Sequence, residues 1–333
     1  MSATGLRGIR YFKEIPNVKI IFNDISLDSI NCIQENLKLN EISNVNVINK
    51  NFNIQDVQNN SSKINIINSD CNVLMCSLLN YFDVIDIDPF GSCSEYIENA
   101  FRSIKHNGIL CLTSTDKGVL CSNENKCIIK YETTILKKFS QNEMAIRALL
   151  SCISRHAAKF GISIEPLVSL NIDFYLRIFV RVLKRTPKKV VENSGLFYLC
   201  RCGNSLSLTH KLNTFKPEWN TQESSEILSK IKNFLQKTNS ITDEYCHNIC
   251  YICNKKMKIC GPFWIQKLHN NLFIEKIIND EKFKQNTKEN SIYSDKRLIG
   301  ILRFLCQEID SIWYYEVSQL SKFLKICCIK IKI

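Results

Sequence analysis

The chain has 333 residues, enough for two domains, and its 45% hydrophobic content is ordinary for a protein that buries a core. Its 44 Lys+Arg against 32 Asp+Glu give a net charge of +12. No stretch of roughly 18 apolar residues exists, so no membrane-spanning helix is expected, and the start Met1-Ser2-Ala3-Thr4-Gly5-Leu6-Arg7 does not read as a signal peptide.

In chain order, residues 2–10 read as a Gly-containing turn running into a helix from Ile9 to Glu14. A strand follows from Val18 to Phe22 and ends at Asn23-Asp24. The next helix runs to Leu39, with Ser26 as its N-cap and Asp28 suiting the positive end of its dipole. Val45 to Asn49 is a short strand and residues 53–63 a polar loop. Ile64 to Asn68 is another strand, Asp70-Cys71 its turn, and Cys71 to Leu79 a helix. Val84 to Ile87 reads as a buried parallel strand that ends in the turn Asp88-Pro89-Phe90-Gly91. Glu95 to Ile104 is helical, and Gly108 to Thr113 a strand ending at Ser114-Thr115-Asp116. This alternation of strand and helix is the doubly wound α/β pattern.

Residues 140–160 carry Met144, Ile146, Leu149, Leu150 and Ile153 at helical spacing. Two strands follow, Ile164 to Leu170 and Phe174 to Val182. Arg185 to Asn193 is a basic junction, Leu196 to Leu208 short-stranded and Cys-bearing, and 213–245 polar apart from a helix at 224–236. Residues 271–284 and 295–309 read as helices, and 316–333 as a helix followed by a short strand.

The charge is uneven. Residues 1–116 hold 9 Lys+Arg and 13 Asp+Glu, a net of −4, whereas residues 117–189 hold 14 against 5, a net of +9. A basic region beside an acidic one that carries the strand-end turns suits a polyanionic substrate such as RNA; the competing reading is a solvated Lys-rich surface. Arg147, Arg155, Lys159, Arg177, Arg181, Lys184, Arg185, Lys188 and Lys189 form the candidate phosphate-contacting set. The 17 cysteines, many in apolar segments, read as reduced thiols of an intracellular protein.

Open α/β sheets bind ligands just past the carboxyl ends of their strands, and four segments are placed for that. The first is Ser2-Ala3-Thr4-Gly5-Leu6-Arg7-Gly8, whose glycines permit close backbone approach to a ligand. The others are Asp24, an acid suited to ribose hydroxyls; Asp70-Cys71, placed to meet a ring edge; and Asp88-Pro89-Phe90-Gly91. In the last, Asp88 offers a carboxylate, Pro89 stiffens the backbone and Phe90 offers a face for stacking a base. Taken singly, each has a structural alternative: Asp24 beside a helix cap, Asp70 as a turn residue, Asp86 as a buried partner for a base.

The ordered set Ser2 to Arg10, Asn23-Asp24-Ile25-Ser26, Ile85 to Ser92, Thr113-Ser114-Thr115-Asp116 and Asp173 to Arg181 resembles the tRNA (guanine-26, N2)-dimethyltransferase family. Glu143-Met144-Ala145-Ile146-Arg147, Gly261-Pro262-Phe263-Trp264 with His269, and Leu298 to Tyr315 extend the resemblance over nearly the whole chain. It implies a Rossmann-like, class I S-adenosylmethionine-dependent methyltransferase. Carried over by position, Arg7, Asp24, Asp70 and Cys71 line the cofactor site, Asp88 is the catalytic group, and Pro89 and Phe90 hold the base. From the basic stretch, Arg177, Arg181, Lys184 and Arg185 are the residues expected to contact RNA phosphates. The substrate implied is tRNA, with neither a membrane nor an obligatory protein partner. The compartment is intracellular, nucleus or cytoplasm with the mitochondrion as a further option. Other readings are a different RNA base-amine methyltransferase and a truncated tRNA-binding homologue without activity.

The organisation expected is a methyltransferase domain over 1–190, a Cys-bearing, strand-rich extension over 191–265 and a smaller C-terminal α+β domain over 266–333 that is mostly helical. Family members carry a first sheet strand before the Ser-Ala-Thr-Gly block. Its lack here is expected to expose two ladder edges, so that the chain folds poorly or binds cofactor weakly. Cys200-x-Cys202 and Cys250-x2-Cys253 are a candidate structural zinc site, with Cys246, His247 and Cys260 as nearby donors. The first pair is one residue short of metal-ligand spacing, and scattered cysteines in a Cys-rich chain are the other reading.

Overall fold

The computed structural model describes residues 1–48, 55, 57, 62–184, 191–208, 248–280, 295–309 and 311–314. The expected helix at 224–236, the tail at 316–333, most of the 53–63 loop, Arg185, Lys188, Lys189, Cys246 and His247 lie outside these residues.

The chain divides into two compact units. The first comprises Met1–Gly118, Leu149–Val190 and Lys267–Glu308; the second Val119–Ala148, Val191–Gln266 and Ile309–Ile333. Helix Gln141–Ala158 contributes its first half to one and its second half to the other.

In the first unit, helix α1 (Leu6–Glu14) precedes β1 (Ile20–Asp24), α2 (Leu27–Leu39) and β2 (Val45–Ile48). Then come β3 (Ile64–Asn68), α3 (Cys71–Ser77) and β4 (Phe82–Ile87). A short helical stretch, Ser94–Ser103, leads into β5 (Ile104–Ser114). The pair β6 (Ser163–Ile172) and β7 (Tyr175–Leu183) forms a hairpin. The strands make two sheets. One is parallel, in the order β1-β3-β2; the other runs β4-β5-β7-β6, with β4 and β5 parallel and the rest antiparallel. β3, between two neighbours, is buried at every residue, as a central parallel strand must be.

β1 and β4 are each at a sheet end, laddered on one side only among the described residues. This corrects the expectation for Val84 to Ile87. Ile85 and Ile87 are buried, but Val84 is 52% exposed. A strand at a sheet end lacks the second neighbour that would cover it, so a continuous apolar run need not mean continuous burial.

Helix α1 and β1 meet at unusually close range. Any Cβ on Gly8 would fall 2.3 Å from Cε1 of the buried Phe22 ring. α2 begins as expected, with the Ser26 hydroxyl accepting from the Ser29 N–H. Asparagine side chains tie the strand ends together. The Asn23 amide donates to the carbonyls of Ile67 and Ser69, and the Asn68 amide to those of Asp24 and Ile25. The carboxyl ends of β1 and β3 are thereby locked side by side, which sets Asp24 next to the Asp70 turn.

In the second unit, β8 (Ser194–Leu199) pairs antiparallel with β9 (Ser205–Ser207) and with β10 (Lys258–Trp264). Phe139, Phe197 and Phe263 surround Trp313, with ring centroids 5.1–5.4 Å from it.

Candidate active site and cysteine centre

The segment before α1 is anchored to the end of β1. The Ser2 N–H donates to the Asn23 carbonyl, and the Asn23 N–H to the Ser2 hydroxyl. Asp24 is buried here, and its two oxygens accept from the N–H groups of Ala3 and Ser26, each at 3.0 Å. Burial alone would raise its carboxyl; these backbone donors, joined by the Met1 ammonium 3.4 Å from Oδ2, outweigh it and hold the group below the usual carboxylate range. Asp70 is exposed and caps α3 through the Asn72 N–H at 2.7 Å. Cys71 follows it half-buried, and burial pushes its thiol up to about 11.

At the end of β4 two carboxylates two residues apart have different surroundings. Asp86 Oδ1 accepts from Arg177 Nη1 (2.8 Å) and Arg7 Nη1 (3.0 Å). Its Oδ2 accepts from Arg177 Nη2 (2.9 Å) and the Tyr11 hydroxyl (3.0 Å). Arg177 also donates to Thr113 Oγ1 at 2.7 Å and lies over the Phe179 ring at 4.9 Å. Burial opposes ionisation of Asp86, but the two arginines and Tyr11 override it and keep it below its ordinary range. Burial, reinforced by Asp86, pushes the Tyr11 phenol up to about 12.

Asp88 is the more open of the two, its side chain 34% exposed against 15% for Asp86. Its Oδ2 accepts from Arg7 Nη2 at 2.6 Å. Pro89 is buried, and Phe90 is fully exposed. Gly91 closes the turn at φ 98, a conformation other residues resist. Its N–H donates to Thr115 Oγ1 at 2.7 Å, and its carbonyl accepts from the Thr115 N–H at 2.9 Å. The Ser114-Thr115 strand end therefore braces the turn.

The structure thus brings together Arg7, Asp88, Pro89 and Phe90, and sets Asp24 beside Asp70 and Cys71 at neighbouring strand ends. It also adds Tyr11, one helical turn after Arg7 on the same face of α1. That spacing was the available signal. It removes two residues from the phosphate-contacting set. Arg177 is spent on Asp86 with its side chain 11% exposed. Arg147 is buried in the second unit, bound to Glu143 (2.6 Å) and to the carbonyls of Trp264 and Gln266. Arg181 pairs with Glu165 at 2.9 Å while remaining one-third exposed, and the Lys184 ammonium donates to Asn80.

The second unit holds the cysteine centre. The thiols of Cys200, Cys202, Cys250 and Cys253 all lie within 4.8 Å of one another. Two tight turns present them. Gly203 (φ 99) follows the first pair and Asn254 (φ 55) the second, each in left-handed conformation. Burial pushes the Cys250 thiol up, but N–H donors from Cys253 and Ile252 and the Asn204 amide bring it down to about 7. Met257, Tyr198, Leu206 and Ile252 pack around the sulfurs.

Over residues 1–332 the chain matches the family model described as N2,N2-dimethylguanosine tRNA methyltransferase. The chain belongs to that family. Among its relatives is the tRNA (guanine(26)-N(2))-dimethyltransferase of Schizosaccharomyces pombe, 31% identical over 98% of this chain and 54% of the relative. The Pyrococcus abyssi enzyme of the same name is 29% identical over 100% of this chain and 75% of its own length. The chain spans about half the length of the curated eukaryotic relatives it matches. A solved structure of Trm1 from Pyrococcus horikoshii, in complex with S-adenosyl-L-methionine, superposes with a TM-score of 0.71 at 26% identity. The match covers 98% of this chain and 75% of that one. The α/β fold expected from the sequence is therefore the family's own.

Proposed function

We propose that this chain transfers methyl groups from S-adenosylmethionine to the exocyclic N2 of a guanosine in tRNA, with position 26, named for its relatives, as the target. The observation that carries this is the pairing of a partly open carboxylate, Asp88, with a fully exposed ring, Phe90, on one turn of a family-matched chain.

The residues at the strand ends fit the cofactor. The Asp24 carboxyl is held below its usual range, and Oδ1, with one backbone donor, keeps lone-pair capacity for a ribose hydroxyl, while Oδ2 also faces the Met1 ammonium. Asp70 and Cys71 stand at the neighbouring strand end, and Arg7 offers a half-exposed guanidinium to the cofactor's carboxylate. Bound there, S-adenosylmethionine supplies an electrophilic methyl group.

The chain's residues act on the base. The guanine N2 lone pair is delocalised into the ring, so the amine is a weak nucleophile. The Asp88 carboxylate accepts a hydrogen bond from N2–H, raises electron density on nitrogen and receives the proton as the methyl transfers. Arg7 holds Oδ2 of Asp88, and the carboxylate keeps acceptor capacity at Oδ1 for the base. Phe90 stacks the base and rigid Pro89 fixes the turn, so the amine is oriented for attack. A second methylation requires room for one methyl beside N2. The base must first leave its stack or pair.

Arg181 and Lys184 remain as proposed phosphate contacts, with Arg185 outside the described residues. Zinc fits the cysteine centre. Four thiolates at about 2.3 Å from one ion lie about 3.8 Å apart. Here Cys200–Cys253 and Cys202–Cys250 are 3.4 and 3.5 Å apart. Such a site is structural, since all four ligands come from the protein.

The test is methyl incorporation into a tRNA transcript, with N2-methylated guanosine read by mass spectrometry. Asp88→Ala should lower the rate by roughly 100- to 10,000-fold and leave tRNA binding largely intact. Equal loss of binding and transfer would make Asp88 a structural residue and sink the assignment.

A further inference from the structure

Beyond the turn that carries Phe90, one more aromatic ring stands in solvent on the same rim. β6 and β7 are joined by a two-residue turn, Asp173-Phe174, since Ile172 and Tyr175 are directly paired across it. Phe174 is 86% exposed. Hairpin turns favour Gly, Asn and Asp. Asp173 meets that need with its left-handed φ of 46. Nothing about the turn requires a large ring at the next position, and exposing one forfeits the burial it could have had.

The place of the turn is fixed by hydrogen bonds. β7 pairs with β5 up to Leu176 opposite Ser114, which puts the Asp173-Phe174 turn beside the segment that leaves β5 at Thr115. Thr115 is the residue bonded in both directions to Gly91, next to Phe90. Two cations brace the turn. Lys117 Nζ donates to the Asp173 carbonyl at 3.2 Å, and Arg297 Nη2 reaches both Asp173 oxygens at 3.0 and 3.1 Å. Phe174 is thus a ring held on a fixed turn, exposed, with the Lys117 ammonium and the Asp173-paired Arg297 guanidinium close by, and next to the proposed base-binding turn. A flat apolar face beside an ammonium is complementary to a nucleotide, whose base stacks while its phosphate meets the charge.

We propose that Phe174 is a second stacking platform, which takes an unpaired nucleotide of the RNA substrate other than the target guanosine held at Phe90. The inference rests on the tRNA methyltransferase reading and extends it: target selection reads an opened segment of RNA, and not one base alone.

The experiment uses the full chain and a tRNA transcript, with Phe174→Ala, Phe174→Leu and Phe174→Trp. Stacking on an aromatic side chain predicts that Ala and Leu weaken tRNA binding by roughly 5- to 100-fold, whereas Trp retains it. The slope of affinity against salt should not change, because no charge is removed. Affinity for S-adenosylmethionine should match the parent chain's. The Leu variant keeps apolar bulk at the turn, so a loss shared by Ala and Leu but not Trp marks the ring's face. Parent-like tRNA affinity in both Ala and Leu variants would overturn the proposal. A parent chain that binds no tRNA would instead overturn the substrate assignment itself, a result that separates the two failures.

Discussion

The Asp88 turn and the cysteine centre both gather ionisable groups from distant parts of the chain, and they balance them in opposite ways. At the turn, the negative charges of Asp86 and Asp88 are met by Arg7 and Arg177 from within the protein. At the cysteine centre, four sulfurs converge within 4.8 Å, and ionising them calls for a cation from outside. The first is complete when the chain folds; the second, on the zinc reading proposed above, is completed by the ion. A self-neutralised cluster can afford to leave one member, Asp88, partly open. A four-thiolate zinc site, as proposed, would have no member to spare.

That contrast can be broken by experiment. The largest effect is expected at the cysteines. Structural zinc contributes on the order of 10 kcal/mol or more in small zinc modules. Chelation, or Cys250→Ser, should therefore melt the Cys-bearing region in hydrogen exchange and leave amides of β3 and β5 protected. Metal analysis finding less than about one zinc per two chains would remove the cation from the comparison.

Next is Asp86→Asn, which strands the buried Arg177 guanidinium and should cost about 3–5 kcal/mol in denaturant unfolding. Its pH signature has a definite sign. The Asp86 carboxyl lies below its ordinary value of 3.8 in the folded state. Its contribution is therefore present above that value and lost as pH falls through the folded one. The Asn variant should show a flatter stability profile on the acid side of about pH 4; a profile parallel to the parent's would contradict the ion pair.

Tyr11→Phe removes one of the Asp86 donors and should cost about 1 kcal/mol in unfolding. Smallest on stability is Asp88→Ala, expected within about 0.5 kcal/mol because its side chain is one-third exposed and anchors nothing buried. The same variant should be the most damaging to catalysis. A large destabilisation would erase the distinction between the two carboxylates.

The candidate turns were legible because they sit at strand ends, and strand ends can be read from apolar runs and the acids that follow them. Asp24, Asp70 and Asp88 all lie where that logic puts them. The cysteine pairs were legible as donors. The short Cys200-x-Cys202 spacing still closes because a left-handed Gly203 follows it at once. What was not legible depends on partners far along the chain. Arg147 and Arg177 look like any other cation in a basic stretch, yet Arg147 is buried on carbonyls 117 and 119 residues away and Arg177 on a carboxylate 91 residues away. Val84 reads as core until its strand is found at a sheet end. Tyr11 has no motif of its own, and its role exists only once α1 is laid against β4.

Gly8 adds a consequence of another kind. The absence of a side chain there lets α1 settle against the Phe22 ring, and α1 carries both Arg7 and Tyr11 to the end of β4. The glycine therefore acts as a spacer of zero thickness. It sets the distance from helix to sheet, and through that distance the reach of a guanidinium to a carboxylate. A single methyl at position 8 would force either the Phe22 ring or the helix to move. A moved helix would draw Arg7 and Tyr11 away from Asp86 and Asp88, in a part of the protein that the methyl never touches.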